Sequence, residues 1–178
     1  MTLGVVLFVV AVVALGGSGL VLLVTAHRLD RLHVRLDAAW AALDRALVDR
    51  AALAVATAET APRTDVVARL HPAAVRAELA PRVDREIVEN ELTNLLTSVD
   101  RGGLSAVLAA ELADAEQRVV IARRVHNDAV RDTLTLRRKP TVRCFRLAGT
   151  APLPEYFEIA EPEPLSTADL PTPWPFID

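Results

Sequence analysis

Hydrophobic residues fill the start of the chain almost without interruption, and residues 1–26 contain no ionisable side chain. From Leu3 to Val24 nearly every residue is Leu, Val, Ala, Phe or Gly. Because an α-helix rises about 1.5 Å per residue, this run extends about 33 Å, which matches a bilayer core of about 30 Å. The pattern therefore predicts a transmembrane helix over residues 1–26 that anchors the rest of the chain.

A cleaved secretory signal peptide is the alternative interpretation, because Val24, Thr25 and Ala26 fit a small-residue cleavage site. Two features favour the anchor: no Lys or Arg precedes the apolar run, and the run is about twice as long as a normal signal core. The small residues from Gly16 to Gly19 would let a second helix approach closely. Homo-oligomerisation there stays open beside the simpler interpretation that glycine is only tolerated.

After the anchor, hydrophobic residues recur at alternating steps of three and four, which is the spacing of one packed helix face. Arg50 is the one polar interruption of this seam, and Pro62 ends the helix. Trp40 flanks the seam, where we expect its indole to pack. One continuous helix from the anchor to Ala61 is predicted. Its seam positions are Leu29, Leu32, Leu36, Ala39, Leu43, Ala46 and Leu53.

The segment 63–81 is less regular, because Pro72 and Pro81 disfavour helical geometry in the residues before them. Asp65 is a candidate cap for a short helix. We therefore expect two short helical pieces or a kink. Helical spacing resumes from Arg82, and a turn follows at residues 100–103; the apolar positions between are Val88, Leu92, Leu95 and Val99.

The clearest seam lies in the last long helix, predicted over about residues 105–138 and ended by Lys139 and Pro140. His126 occupies a seam position, so we expect it to be buried, neutral at pH 7 and hydrogen-bonded, because burial disfavours the charged form. The seam positions are Leu112, Ala115, Val119, Ala122, His126, Ala129, Thr133 and Leu136.

Composition supports the same architecture. Hydrophobic residues make up 52% of the chain but aromatic residues only 4%, and Ala, Val and Leu predominate, which favours helix packing over sheets. The predicted fold is all-α: a transmembrane helix continuing into an up-and-down bundle of long antiparallel helices over residues 27–150.

Residues 151–178 form a third region, rich in proline and acidic residues. It holds seven of the eleven prolines and six acidic residues but no basic ones, so it is expected to be extended. Tyr156 and Phe157 are candidates for docking on the bundle. Near the end, a polyproline-like stretch is either a partner-binding motif or a solvated tail: Pro171, Pro173, Trp174, Pro175 and Phe176.

Charge predicts how the anchor is oriented. Arg28, Arg31 and Arg35 follow the apolar run directly, so the positive-inside rule predicts a single-pass protein of the cell membrane with its N-terminus outside and its C-terminal bulk in the cytoplasm. The lone Cys144 agrees, because it cannot form an internal disulfide.

A second basic segment follows the last long helix, and no acidic residue lies within it. If the helices run up, down, up and down, this segment returns to the membrane near Arg28 and contacts anionic headgroups. Alternatively its cations complement the helix dipole and keep the bundle soluble. The candidate lipid contacts are Arg28, Arg31 and Arg35 after the anchor, together with Arg137, Arg138, Lys139, Arg143 and Arg146 of this segment.

Other functional classes find little support in the sequence. Cys144 has only His126 in its region, the histidines are scattered, and no glycine-rich phosphate loop is present, so no enzyme, cofactor, metal or small-molecule substrate is predicted. A tethered chain with net charge −3 is also a poor nucleic-acid binder.

Four blocks of the chain resemble, in order, the signature of the LemA family. The strongest block has two parts: Leu112–Val119, which holds Glu116, Gln117 and Arg118, and Ala122–Asp132, which reads Ala-Arg-Arg-Val-His-Asn-Asp-Ala-Val-Arg-Asp. The supporting blocks are Asp37–Trp40, Glu89–Leu92 and Glu155–Glu158.

The chain departs from the family pattern at several positions. His126 replaces a tyrosine, Thr133 and Leu134 replace an aromatic-Asn pair, and residues 51–56 replace a Pro-Asn-Leu-Val element. The resemblance implies a divergent member: a bacterial, membrane-anchored bundle without established catalytic activity. Two functions follow as hypotheses, a scaffold or adaptor for unidentified protein partners, and a module that contacts or senses anionic lipid.

Overall fold

The computed structural model describes residues 2–159, which are helical for most of their length. No strand occurs in this part of the chain, so the predicted all-α class and the long apolar N-terminal helix are both confirmed. The elements are α1 (Thr2–Thr60), α2 (Asp65–Leu79), α3 (Arg85–Thr97), a 3₁₀ turn (Arg101–Gly103), α4 (Ala106–Arg137) and α5 (Pro140–Cys144).

Helix α1 runs unbroken through the apolar segment and the first seam, as predicted. It ends at Thr60, two residues before Pro62, which disfavours helical geometry at Ala61. Within the described residues it is long and apolar enough to cross a membrane, and its apolar window is entirely exposed.

Helix α2 differs from the expectation of two short pieces, because it is one helix that passes through Pro72. Pro72 has no amide hydrogen, so the Ala68 carbonyl lacks its helical donor. Ala68 is exposed, so water can bind that carbonyl. The cap is Thr64 and not Asp65: the Thr64 hydroxyl accepts a hydrogen bond from the Val67 amide at 3.2 Å. Asp65 lies in the first turn, where its charge favours the helix dipole.

The start of α3 and the turn after it are explained by the residues around them. Helix α3 begins at Arg85, three residues later than predicted, because residues 82–84 form a turn after Pro81. The predicted turn at residues 100–103 is present, and Asp100 stabilises it by accepting a hydrogen bond from the Gly102 amide.

The chain divides into two compact units. Unit 1 comprises the described residues of Met1–Arg45 and Ile121–Phe157, and unit 2 those of Ala46–Val120 and Glu158–Asp178. Helices α1 and α4 contribute to both units.

In unit 1, the early part of α1 packs against the late part of α4. Leu36 and Ala39 cluster with Ala129 and Val130, whereas Leu29 clusters with residues that follow position 135. Contacts move towards the end of α4 as they move towards the start of α1, so the two helices run antiparallel in this unit.

Unit 2 has its own core of small and branched side chains. Residues from α1, α2, α3 and α4 meet there, among them Ala54, Leu70, Leu92 and Leu112, each completely buried. Alanine is common at these positions and lets helix backbones approach closely.

The predicted seams are mostly buried. His126 is 1% exposed, which confirms its expected burial. Leu32, Leu53, Val88 and Ala122 are only partly buried. The remaining seam positions named above are buried.

Candidate lipid-contact site

The basic segment after α4 lies beside the point where α1 leaves its apolar run. Leu29 of α1 forms a buried cluster with Leu136 and Val142, against which Leu147 and Ala148 pack. Apolar burial of this kind is worth about 25 cal/mol per Å². The cluster therefore fixes the chain that follows α4 to the start of the first seam.

Residues 138–148, called here the α5 turn, fold compactly for local reasons. Pro140 occupies the first position of α5, where a missing amide proton costs nothing. The Leu147 amide donates to the Val142 carbonyl at 3.0 Å, and the Arg146 amide donates to the Arg143 carbonyl at 3.3 Å. Arg146 adopts a left-handed conformation with φ 50°. The sequence pattern did not predict α5, which is too short for periodicity to show.

Six basic side chains of unit 1 are exposed around this cluster and form what we call the basic collar. None of them makes an ion pair with any residue in the range 2–159. No carboxylate within that range therefore neutralises their charges. The collar residues are Arg28, Arg31, Arg138, Lys139, Arg143 and Arg146.

Two of the predicted lipid contacts have internal partners instead. Arg35 is paired with Asp132 at 3.3 Å, an exposed and therefore weak ion pair. Arg137 donates to the carbonyl oxygens of Ala151 and Pro152, both at 2.7 Å. Arg137 thus holds the chain beyond the α5 turn against the end of α4.

A second group of charged side chains is buried in unit 2. Glu89 is completely buried and accepts from Arg50 at 2.7 Å and from Arg85 at 3.0 Å. Arg50 also donates to the Thr93 hydroxyl at 3.0 Å. Arg50, the polar interruption of the seam, is therefore a member of an ion network.

The spacing of Glu89, Leu92 and Leu96 places Glu89 on the buried face of α3, and this signal was present in the sequence. The pairing of Glu89 with Arg50 could not be predicted from the sequence, because 39 residues separate the two.

Unit 1 contains an aromatic group built from three of the blocks that carry the family resemblance. The Trp40 ring lies edge-on to His126, with centroids 5.4 Å apart, and to Phe157 at 5.7 Å. Asn127 binds the Phe157 backbone, its Nδ2 donating to the carbonyl at 3.1 Å and its Oδ1 accepting from the amide at 2.9 Å. Phe157 docks as expected, whereas Tyr156 remains 46% exposed.

Other candidate chemistry is dispersed. Cys144 is an exposed free thiol. No group of three or more His, Cys, Asp or Glu side chains in the described residues is arranged to hold a metal ion. The predicted partner-binding residues of the tail, Pro171, Pro173, Trp174, Pro175 and Phe176, lie outside the described residues.

Comparison of the chain with protein-family models, with curated proteins and with solved structures finds no match.

Proposed function

We propose that this chain is a single-pass membrane protein whose basic collar contacts anionic lipid headgroups on the cytoplasmic side. The observation that carries the proposal is the packing of Val142 and Leu136 against Leu29. This packing keeps the collar residues of the α5 turn beside Arg28 and Arg31.

The depth of the collar follows from helix geometry. Leu29 lies three residues beyond Ala26, the last residue of the uncharged run, which is a rise of about 4.5 Å. The polar headgroup region extends about 5 to 8 Å beyond the hydrocarbon core on each side. With α1 along the bilayer normal, Leu29 and the α5 turn lie at the level of the headgroups.

Charge supports both the orientation and the contact. Arg28 and Arg31 immediately follow the apolar run, which favours a cytoplasmic location for them. A Lys or Arg near an anionic leaflet contributes about 1 kcal/mol of binding free energy. The four collar charges of the α5 turn would then contribute about 4 kcal/mol in addition to the anchor, and this contribution decreases with salt.

Amide hydrogen exchange on the full-length protein in nanodiscs tests this proposal. Exchange of residues 138–148 should be slower in anionic than in neutral nanodiscs. The variant R138Q/K139Q/R143Q/R146Q should remove the difference. The control R63Q/R69Q, which changes exposed charges of unit 2, should retain it. Equal exchange of the wild type in both lipids would refute headgroup contact.

The LemA-like motifs support a second function, a membrane-anchored scaffold or adaptor for protein partners. We propose that the long helices are those of an up-and-down bundle of that family. Unit 2 exposes three apolar side chains where α2 meets α3: Leu79 is 78% exposed, Val83 90% and Ile87 72%. Apolar surface of this kind is common in protein interfaces. A partner cross-linked to the wild type in native membranes, but not to V83S/I87S, would favour this function.

A further inference from the structure

The α5 turn leaves one aromatic ring outside the packing that holds the turn in place. Phe145 is 60% exposed, whereas Val142 is 2% exposed and Leu147 and Ala148 pack against the Leu29 cluster. The same short turn therefore buries Val142, partly buries Leu147 and Ala148, and leaves Phe145, its largest apolar side chain, exposed. In water this arrangement is unfavourable, because an exposed phenyl ring forgoes the free energy of burial.

We propose that Phe145 inserts into the interface of the bilayer, so that the α5 turn is an interfacial membrane element and not only an electrostatic contact. This inference rests on the proposed anchoring by α1 and adds a second, apolar attachment to it. The occupant of the Phe145 surface is then the lipid of the same membrane that α1 crosses.

Position is the first argument for lipid as the occupant. The α5 turn is joined through Val142 to Leu29, at the headgroup level derived above. Leu29 is about 4.5 Å along α1 from the end of the uncharged run, so a side chain at its level that extends towards that end reaches the acyl chains.

The surrounding charges are the second argument. Arg143 and Arg146 flank Phe145 in sequence, and both are exposed. Interfacial segments combine apolar rings that enter the boundary of the acyl chains with cations that bind anionic headgroups. Long basic side chains can also extend towards the headgroups while the backbone lies deeper. The α5 turn has this combination within four residues.

The only cysteine of the chain provides a probe for this proposal, because Cys144 is exposed and adjacent to Phe145. A nitroxide spin label on Cys144 of the full-length protein reports depth through its relative accessibility to oxygen, which is enriched in lipid, and to a water-soluble nickel chelate. In anionic nanodiscs the label should be accessible mainly to oxygen. The variant F145S should lose this lipid exposure, F145W should retain it, and L153S, which changes another exposed apolar residue of unit 1, should leave it unchanged.

Salt and lipid composition separate insertion from charge contact. Lipid exposure that persists at high salt, or that occurs equally in neutral nanodiscs, supports insertion, and the second result would at the same time refute the collar. The wild type could also enter nanodiscs with its label accessible mainly to the nickel chelate. That result would refute the insertion of Phe145 and leave the anchor intact. An unchanged depth in F145S would also overturn it. Failure of the wild type to enter nanodiscs would refute the anchor and, with it, the insertion.

Discussion

Asn127 and Phe157 are joined by a pair of hydrogen bonds from one side-chain amide to both polar groups of one backbone residue. The pair resembles the bonding between neighbouring strands, but here an α4 side chain supplies it to an extended segment. It fixes the Phe157 ring beside Trp40. Two of the blocks that resemble the LemA family thus meet through this one contact, which gives the motif asparagine a structural role.

Replacement of Asn127 by alanine should therefore destabilise the protein. Two hydrogen bonds of about 0.5 to 1.5 kcal/mol each are lost, and the Phe157 backbone must find other partners. We expect the free energy of unfolding to fall by about 1 to 3 kcal/mol, measured by denaturant titration of the full chain in mild detergent. N94A, at an exposed asparagine of α3, is the matched control. A loss no larger than that of the control would show that the hydrogen bonds between Asn127 and Phe157 do not contribute to stability.

Disruption of the buried ion network of unit 2 should cost more stability than the loss of the Asn127 hydrogen bonds. In E89Q, the guanidinium groups of Arg50 and Arg85 stay buried but lose their shared negative charge. Breaking one partner of a buried ion pair costs about 3 to 5 kcal/mol. The same titration should show a loss of this size for E89Q and less than about 1 kcal/mol for E91Q, whose ion pair with Arg76 is exposed. Similar losses for both variants would contradict the network as described.

The anchor can be tested by a charge placed in mid-span. Leu15→Arg introduces a cation whose insertion costs about 2.5 to 3.5 kcal/mol, so membrane retention should weaken. Alkaline carbonate extraction measures this, with Leu15→Ala as the control that keeps the segment apolar. Release of the wild type into the soluble fraction would exclude α1 as an anchor.

Orientation has its own measurement. A reporter fused after Asp178 and active only in the cytoplasm should be active in the wild type. Substitution of Arg28, Arg31 and Arg35 by glutamine should lower that activity, because these residues carry the positive-inside signal. An externally exposed C-terminus in the wild type would contradict the proposed topology.

Much of the helical architecture was predictable, because it depends on local signals. The three- and four-residue spacing identified the buried faces of α1 and α4, and Pro62 and Pro140 marked where helices end. Pro72 misled the prediction, since tertiary packing of Ala73, Ala74 and Ala77 retains a helix that propensity alone would break.

The candidate site was predicted only in part. The basic residues were visible in the sequence, but their position relative to Leu29 depends on the antiparallel packing of α1 and α4, which periodicity does not specify. The sequence could not distinguish Arg35 and Arg137, which have internal partners, from the collar residues. The partner of Arg35 lies far away in sequence, and those of Arg137 are backbone carbonyls. Phe145 belongs to no periodic pattern in the sequence. Its proposed role could be inferred only from the structure, where Val142 of the same turn is buried and Phe145 is exposed.

Photocross-linking from lipid to protein tests the central claim most directly. Full-length protein would be reconstituted with an anionic lipid that carries a photoreactive group on its headgroup, and the cross-linked residues would be mapped by mass spectrometry. We predict cross-links in residues 27–31 and 138–146, with those in the second range lost in R138Q/K139Q/R143Q/R146Q. Cross-links confined to the neighbourhood of residues 27–31, with none in the α5 turn, would contradict the account.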